Sequence, residues 1–353
     1  MHIALIDGFL LAFAAGLAVG MNMLPIKWQR TYSWENFWLV YSVVSLLLVP
    51  IILALWLVPH LGAVYSSLPS KSLLRPLLFG ALWGFGQLGA GVCVHRLGLA
   101  LSSAILNGVG TAIGTLAPLM LQHREMLFQT SGLLLMVATA VTVAGVASCG
   151  LGGYHREQEA KHQGRRAGFA ANESAMSQAE PTRRSYVAMV MVAVISGMLA
   201  ALLNIALSYG GDVIGQARAA GAPQAWAPFA LWPIALLGGS IVNIAYSVLL
   251  LSRNKTWGKF KGSIREALNP ALAGCLWMGG IALYSSATTF LGVLGVSVGF
   301  ALYTIINILT GQFAAIFTRE WHRMGAKTYA TFVAGIVLLC IAVVIIASVN
   351  FFT

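Results

Sequence analysis

Long apolar runs separated by short polar connections make up most of this chain. Ten runs fall near 3–24, 36–58, 73–95, 99–121, 127–149, 185–208, 226–251, 267–290, 294–317 and 328–350. Each is close to the ~20 residues that carry an α-helix across a bilayer, and much longer than the ~9–11 of a membrane β-strand. The pattern predicts an all-α polytopic membrane protein with ten transmembrane helices, called spans 1 to 10 below. The first run starts at the initiator Met, and no small-residue cleavage site ends it. A cleaved signal peptide is therefore not expected.

The one long interruption is 150–184, which opens Gly-Leu-Gly-Gly-Tyr and continues with mixed charge, Gln, Ser, Ala and Gly. It reads as a polar cytoplasmic linker with a short surface helix around 154–162. Five spans lie on each side, in 1–149 and 185–353. An odd number of crossings per half means that equivalent halves must be inverted relative to one another. Sequence echoes point to such a duplication. Gly80-Ala-Leu-Trp83 leads to Leu97-Gly98, and Gly274-Cys-Leu-Trp277 leads to Leu291-Gly292 at the same spacing. Asn22, late in span 1, is loosely matched by Asn204, late in span 6. The expected fold is two inverted five-helix repeats, the plan used by alternating-access transporters.

Composition agrees: 58% of residues are hydrophobic and 9% charged, against roughly 25% charged in soluble chains. No soluble domain is large enough to hold a separate chemistry. All lysines and arginines except Lys71, Arg75, Arg124 and Arg218 follow odd-numbered spans. The positive-inside bias places those connections in the cytoplasm and both termini outside. The net charge of +11 then faces anionic membrane lipid, and nucleic acid is not needed as a partner. The four cysteines lie in or at the end of apolar runs without CxxC spacing, as buried small thiols do. No metal set, cofactor motif or Walker sequence occurs, and no catalytic cluster marks an enzyme.

Polar groups inside spans turn toward partners or a cavity, because lipid offers no hydrogen bond. Gln87 and Asn243 lie well inside their runs and rank first. Asn22, Asn107, Asn204, Tyr284 and Asn307 accompany them. Amides and hydroxyls both donate and accept, which suits a neutral polyhydroxylated ligand, and Trp83 and Trp277 offer apolar faces to a sugar ring or methyl. The same residues also serve to bond helix to helix. Ionisable groups are nearly absent from the middle of the spans, which disfavours an anionic substrate. Asp7 is the one acid inside span 1. His95 carries the side chain that changes charge near neutral pH. Lys27, Arg30 and Glu35, between spans 1 and 2, read either as a pairing set at an inner gate or as topology anchors.

The run Pro25-Ile-Lys27-Trp28-Gln-Arg30-Thr-Tyr-Ser33-Trp34-Glu35-Asn-Phe-Trp38 resembles a signature of the L-rhamnose–proton symporter family, a branch of the drug/metabolite transporter superfamily. Similar marks are Tyr65-Ser-Ser, Leu78 to Gly86, Arg96-Leu-Gly98, Gly238-Gly239 with Asn243, and Arg319-Glu-Trp321. They span both halves of the chain. The stretches 279–284 and 292–299 depart from the family pattern, the second being more apolar and Gly-rich. The resemblance implies import of a 6-deoxyhexose such as L-rhamnose with a proton, across a bacterial inner membrane. It makes Asp7, and after it His95, the coupling candidates. A monomer is expected. The alternatives are an exporter, exchanger or uncoupled facilitator of another small metabolite, and a membrane scaffold that transports nothing.

Overall fold

The computed structural model describes residues 2–162, 183–262, 264–317, 321 and 324–349. Helices dominate, and among the described residues there is no strand. Among the described residues, ten segments are long and apolar enough to cross a membrane: Ala4–Trp28, Trp34–Leu57, Ser70–Val94, Leu99–Gln122, Thr130–Glu159, Tyr186–Ala219, Ala227–Arg253, Ile264–Thr288, Gly295–Phe317 and Ala326–Val349. They are spans 1 to 10 in order. The all-α, ten-span reading of the sequence holds.

Four departures from the sequence reading matter. The helix of span 5 runs unbroken over Thr130–His162, through the Gly-rich start of the expected linker. Residues 163–182 of that linker lie outside the described residues. Span 6 is not one helix but a series, Arg183–Ala200, Leu202–Ser208 and Gly211–Ala219. Span 1 likewise ends its α-helix at Met21 and continues as a 3-10 turn over Leu24–Trp28, with Pro25 near its start. Span 2 carries a wide π-turn at Val44–Leu48. Pro50 follows it; the ring has no N–H and crowds the carbonyl four residues back, so the turn ahead of it widens.

The chain divides into two compact units that do not follow its halves. One comprises Met1–Phe85 and Leu202–Asn307; the other comprises Gly86–Ala201 and Ile308–Phe352. The first takes spans 1, 2, 7 and 8 with parts of 3, 6 and 9. Its interior holds Trp83, Trp232, Trp277, Tyr284 and Phe37, all buried. The second is built on spans 4, 5 and 10 with the other parts of 3, 6 and 9.

Lipid removes the hydrophobic drive between helices, so association rests on close van der Waals contact through small residues. Gly80 shows how close: a Cβ there would lie 1.6 Å from the Ala235 carbonyl oxygen. Gly274 meets the Tyr41 carbonyl oxygen, at 3.1 Å from the same construction. Gly80 and Gly274 stand as far apart in sequence as Tyr41 and Ala235. A second pair behaves alike, one in each unit. Gly16 rests on Ile306 and the Tyr303 carbonyl; Gly197 rests on Val109 and the Leu106 carbonyl. In the second unit Gly145 meets Leu339 and the Gly335 carbonyl, while Gly335 meets Cys149 and the Gly145 carbonyl.

The thiols divide. Cys93 and Cys149 are buried as expected, whereas Cys275 and Cys340 sit exposed at the protein surface. Their spans are apolar on all sides, so periodicity did not distinguish an inward from an outward position.

Candidate functional site

The first unit gathers aromatic and amide side chains in one place. Trp34 and Trp38 stack with ring centroids 4.8 Å apart, and Trp38 stacks on Tyr41 at 5.0 Å. Tyr41 presents its edge to Trp277 at 6.5 Å, and Trp277 stacks on Trp83 at 5.6 Å. The positions Trp34, Trp38 and Tyr41 fall on one face of span 2 because they are four and three residues apart. Trp83 and Trp277 are the two tryptophans of the sequence echo, and both are buried.

Amides hold this aromatic row. Asn243 Oδ1 accepts from the Trp38 indole N–H at 3.1 Å, and its Nδ2 donates to the Gly239 carbonyl at 2.9 Å. One amide proton and one lone pair remain on Asn243. Its main task is therefore to fix Trp38. Asn22 and Tyr303 both lie close to the Tyr41 phenol. Tyr284 donates to Asn204 Oδ1 and lies within reach of the Val296 carbonyl. Tyr284 also stacks on Tyr303 at 5.2 Å. Trp232 Nε1 donates to Ser285 Oγ at 3.1 Å beneath this group.

Broken helices place the two asparagines. Asn22 directly follows the end of the span 1 α-helix, and Asn204 sits just after the break at Ala201. Discontinuous helices are a hallmark of substrate sites in secondary transporters. Here the breaks bring amide side chains, not charges, to the cluster.

The structure thus brings together Asn22, Trp83, Asn204, Asn243, Trp277 and Tyr284 from the sequence candidates. Asn307 is half-buried on span 9, one turn past Tyr303. Gln87 and Asn107 belong to the second unit, Gln87 half-buried and Asn107 exposed. Asp7 is exposed one turn into span 1. His95 lies on the span 3 helix, but its side chain is outside the described residues.

Glu35 is buried, and its carboxylate accepts from Thr256 Oγ1 at 2.7 Å and Asn254 Nδ2 at 3.2 Å. These neutral donors come from the connection between spans 7 and 8. The sequence reading had set Glu35 with Lys27 and Arg30 instead. Both of those residues are exposed, and Arg30 offers its backbone N–H to Glu266. Tyr32, near that carboxylate, has its phenol held above the ordinary value of 10.0 by burial first and by the charge of Glu266 second.

Trp38, Tyr41, Tyr303 and Glu266 were not selected as site residues from sequence. Trp38 had a signal, its place in the tryptophan-rich run after Ser33. Tyr41 and Tyr303 had only their position inside spans.

A family model described as L-rhamnose-proton symport protein matches residues 1–350. The chain belongs to that family. An L-rhamnose-proton symporter of Mannheimia succiniciproducens is 24% identical over 339 residues, covering 94% of each chain. Proteins of the same name from Shigella dysenteriae and Klebsiella pneumoniae are each 25% identical, over 328 and 327 residues, with 90% of each chain covered. Family membership makes this ten-span chain a multi-pass membrane transporter and not an enzyme.

Proposed function

We propose that this protein imports a neutral monosaccharide, L-rhamnose first among them, together with a proton, by alternating access across a bacterial inner membrane. The observation that carries the reading is the joint one: a symporter family match over nearly the whole chain, and a buried cluster of aromatic rings and amides in the first unit. Rings take the C–H faces and methyl of a deoxy sugar. Amides and phenols take its hydroxyls. A carboxylated or phosphorylated sugar would call for a cation in the cluster, and its members are Asn, Tyr and Trp.

Two inverted five-helix repeats, 1–149 and 185–353 joined by 150–184, supply the mechanism. Support comes from the reciprocal contacts. Gly80 on Ala235 mirrors Gly274 on Tyr41, and Gly16 on Tyr303 and Ile306 mirrors Gly197 on Leu106 and Val109. A chain that repeats its own joints in both halves has two similar states to move between, one open to each side. Basic residues after odd-numbered spans put those connections in the cytoplasm and both termini outside. Asp7 is the first candidate to carry the proton and His95 the second.

The test is uptake into liposomes holding the purified protein, with pH and sodium gradients imposed separately and a panel of sugars outside. Rhamnose accumulation driven by the pH gradient is expected. Accumulation driven by sodium alone would refute proton coupling. Downhill equilibration unaffected by either gradient would make the protein a facilitator.

A further inference from the structure

Two hydrogen-bonded ties in the first unit are counterparts of each other. The first joins the start of span 8 to the connection between spans 1 and 2. The Glu266 carboxylate accepts from Gln29 Nε2 at 2.6 Å, from the Arg30 N–H at 3.2 Å and from the Thr31 N–H at 3.1 Å. Gln29 Nε2 also reaches the Glu266 carbonyl at 3.2 Å. The second joins the start of span 3 to the helix Gly211–Ala219 that ends span 6. Ser72 Oγ donates to Asp212 Oδ2 at 2.6 Å.

The correspondence is residue for residue. Ser72 and Glu266 stand as far apart in sequence as Trp83 and Trp277. Thr31 and Asp212 stand as far apart as Gly16 and Gly197, the glycines of one counterpart contact. A flanking tie repeats the relation. Glu35, at the start of span 2, holds Thr256 and Asn254 of the connection between spans 7 and 8. Tyr65, in the connection between spans 2 and 3, donates to the Ala230 carbonyl at the start of span 7, at 2.7 Å. Counting crossings, the Glu266 and Glu35 ties lie on one membrane face and the Asp212 and Tyr65 ties on the other.

We propose that Glu266 with Gln29, Arg30 and Thr31 forms the inner gate of the transport cycle, and Ser72 with Asp212 the outer gate. The inference rests on the alternating-access reading above. Both ties are made at once in this structure, and each half-cycle must break one of them. They are unequal. Glu266 is buried and takes three charge-assisted bonds, whereas Asp212 is exposed and takes one hydroxyl. Both acceptors are carboxylates, so each bond is charge-assisted; three such bonds at a buried site outweigh one at an exposed site, where water competes, so the inner gate holds harder. An empty importer of this kind waits open to the outside, where its sugar is.

The experiment is hydrogen–deuterium exchange on the purified full chain, with rhamnose uptake measured in parallel. Glu266→Gln should speed amide exchange about tenfold across 24–33 and slow it across 211–219, because the population moves to the inward-open state. Ser72→Ala and Asp212→Asn should do the reverse. The double variant Glu266→Gln/Ser72→Ala should return both segments toward wild type. Faster exchange only next to each substitution, with no slowing at the other face, would show ordinary structural bonds and overturn the proposal. If Glu266→Gln does not fold, Gln29→Ala removes the 2.6 Å donor and carries the same expectation. A wild type that takes up no sugar would defeat the transport reading, whereas normal wild-type uptake without reciprocal exchange would defeat only the gates.

Discussion

Asn243 offers a direct test of how the aromatic row is held. Its side-chain oxygen takes the Trp38 indole proton, and its amide nitrogen is anchored on the Gly239 carbonyl. Asn243→Ala strands the Trp38 N–H among rings and removes the stop that sets its angle. A buried donor left without a partner costs about 1–3 kcal/mol. Part of that cost appears as lost stability. The rest appears as Trp38 leaving its stack on Tyr41, which sugar binding must then restore. If half of it falls on binding, rhamnose affinity drops about twofold to twelvefold. Trp38→Phe keeps a ring face and gives up the bond, so it should lose a similar amount. The decisive quantity is the double variant. A positioning role predicts that the combined loss is little more than either single loss, with a coupling energy of about 1 kcal/mol. The assay is isothermal titration of L-rhamnose into purified protein, with thermal stability measured alongside. Losses that simply add would mean that Asn243 touches the sugar itself. Unchanged affinity in all three variants would remove the row from the binding site.

Three further outcomes are expected. Gly80→Ala, whose Cβ would meet the Ala235 carbonyl, should lower the melting temperature markedly, at a cost of about 1–3 kcal/mol or more, while Gly91→Ala, which meets nothing within 4 Å, should not; equal melting would refute close packing at Gly80. A cysteine near Thr353 should react with an impermeant reagent applied to intact cells and one at Gln163 should not, with reversed labelling overturning the orientation. Asp7→Asn should abolish accumulation driven by a pH gradient yet retain exchange of rhamnose between two pools, and normal accumulation would exclude Asp7 as the proton carrier.

The spans were legible because the bilayer sets a length that composition alone reveals. What composition could not reveal was where a helix stops. Gly150, Gly152 and Gly153 read as a linker, since glycine is a poor helix former. In the fold they are contact points: a Cβ on each would meet Ala104, Phe332 and Ala100 respectively. The break at Ala201 was hidden for the opposite reason, because the residues around it are good membrane-helix formers. Asn22, Asn204, Trp83 and Trp277 were found from the echo between halves. Trp38 and Tyr41 were missed as site residues because their partners, Asn243 and Trp277, lie some 200 residues away. Glu35 was matched to nearby cations by charge. Its actual partners are uncharged and come from a connection far along the chain.

The helix that extends to His162 ends in two carboxylates with structural duties. Glu157 accepts from the Ala100 N–H at the start of span 4. Glu159 accepts from the Gly325 N–H at 2.8 Å and from Thr328 at the start of span 10. Both cap helix N-termini, where a negative charge is favoured. Protein engineers looking for a place to splice a fluorescent reporter or an antibody epitope would choose the polar stretch after Cys149. An insertion between 150 and 157 would pull both caps from the helices they serve, so the splice belongs after His162.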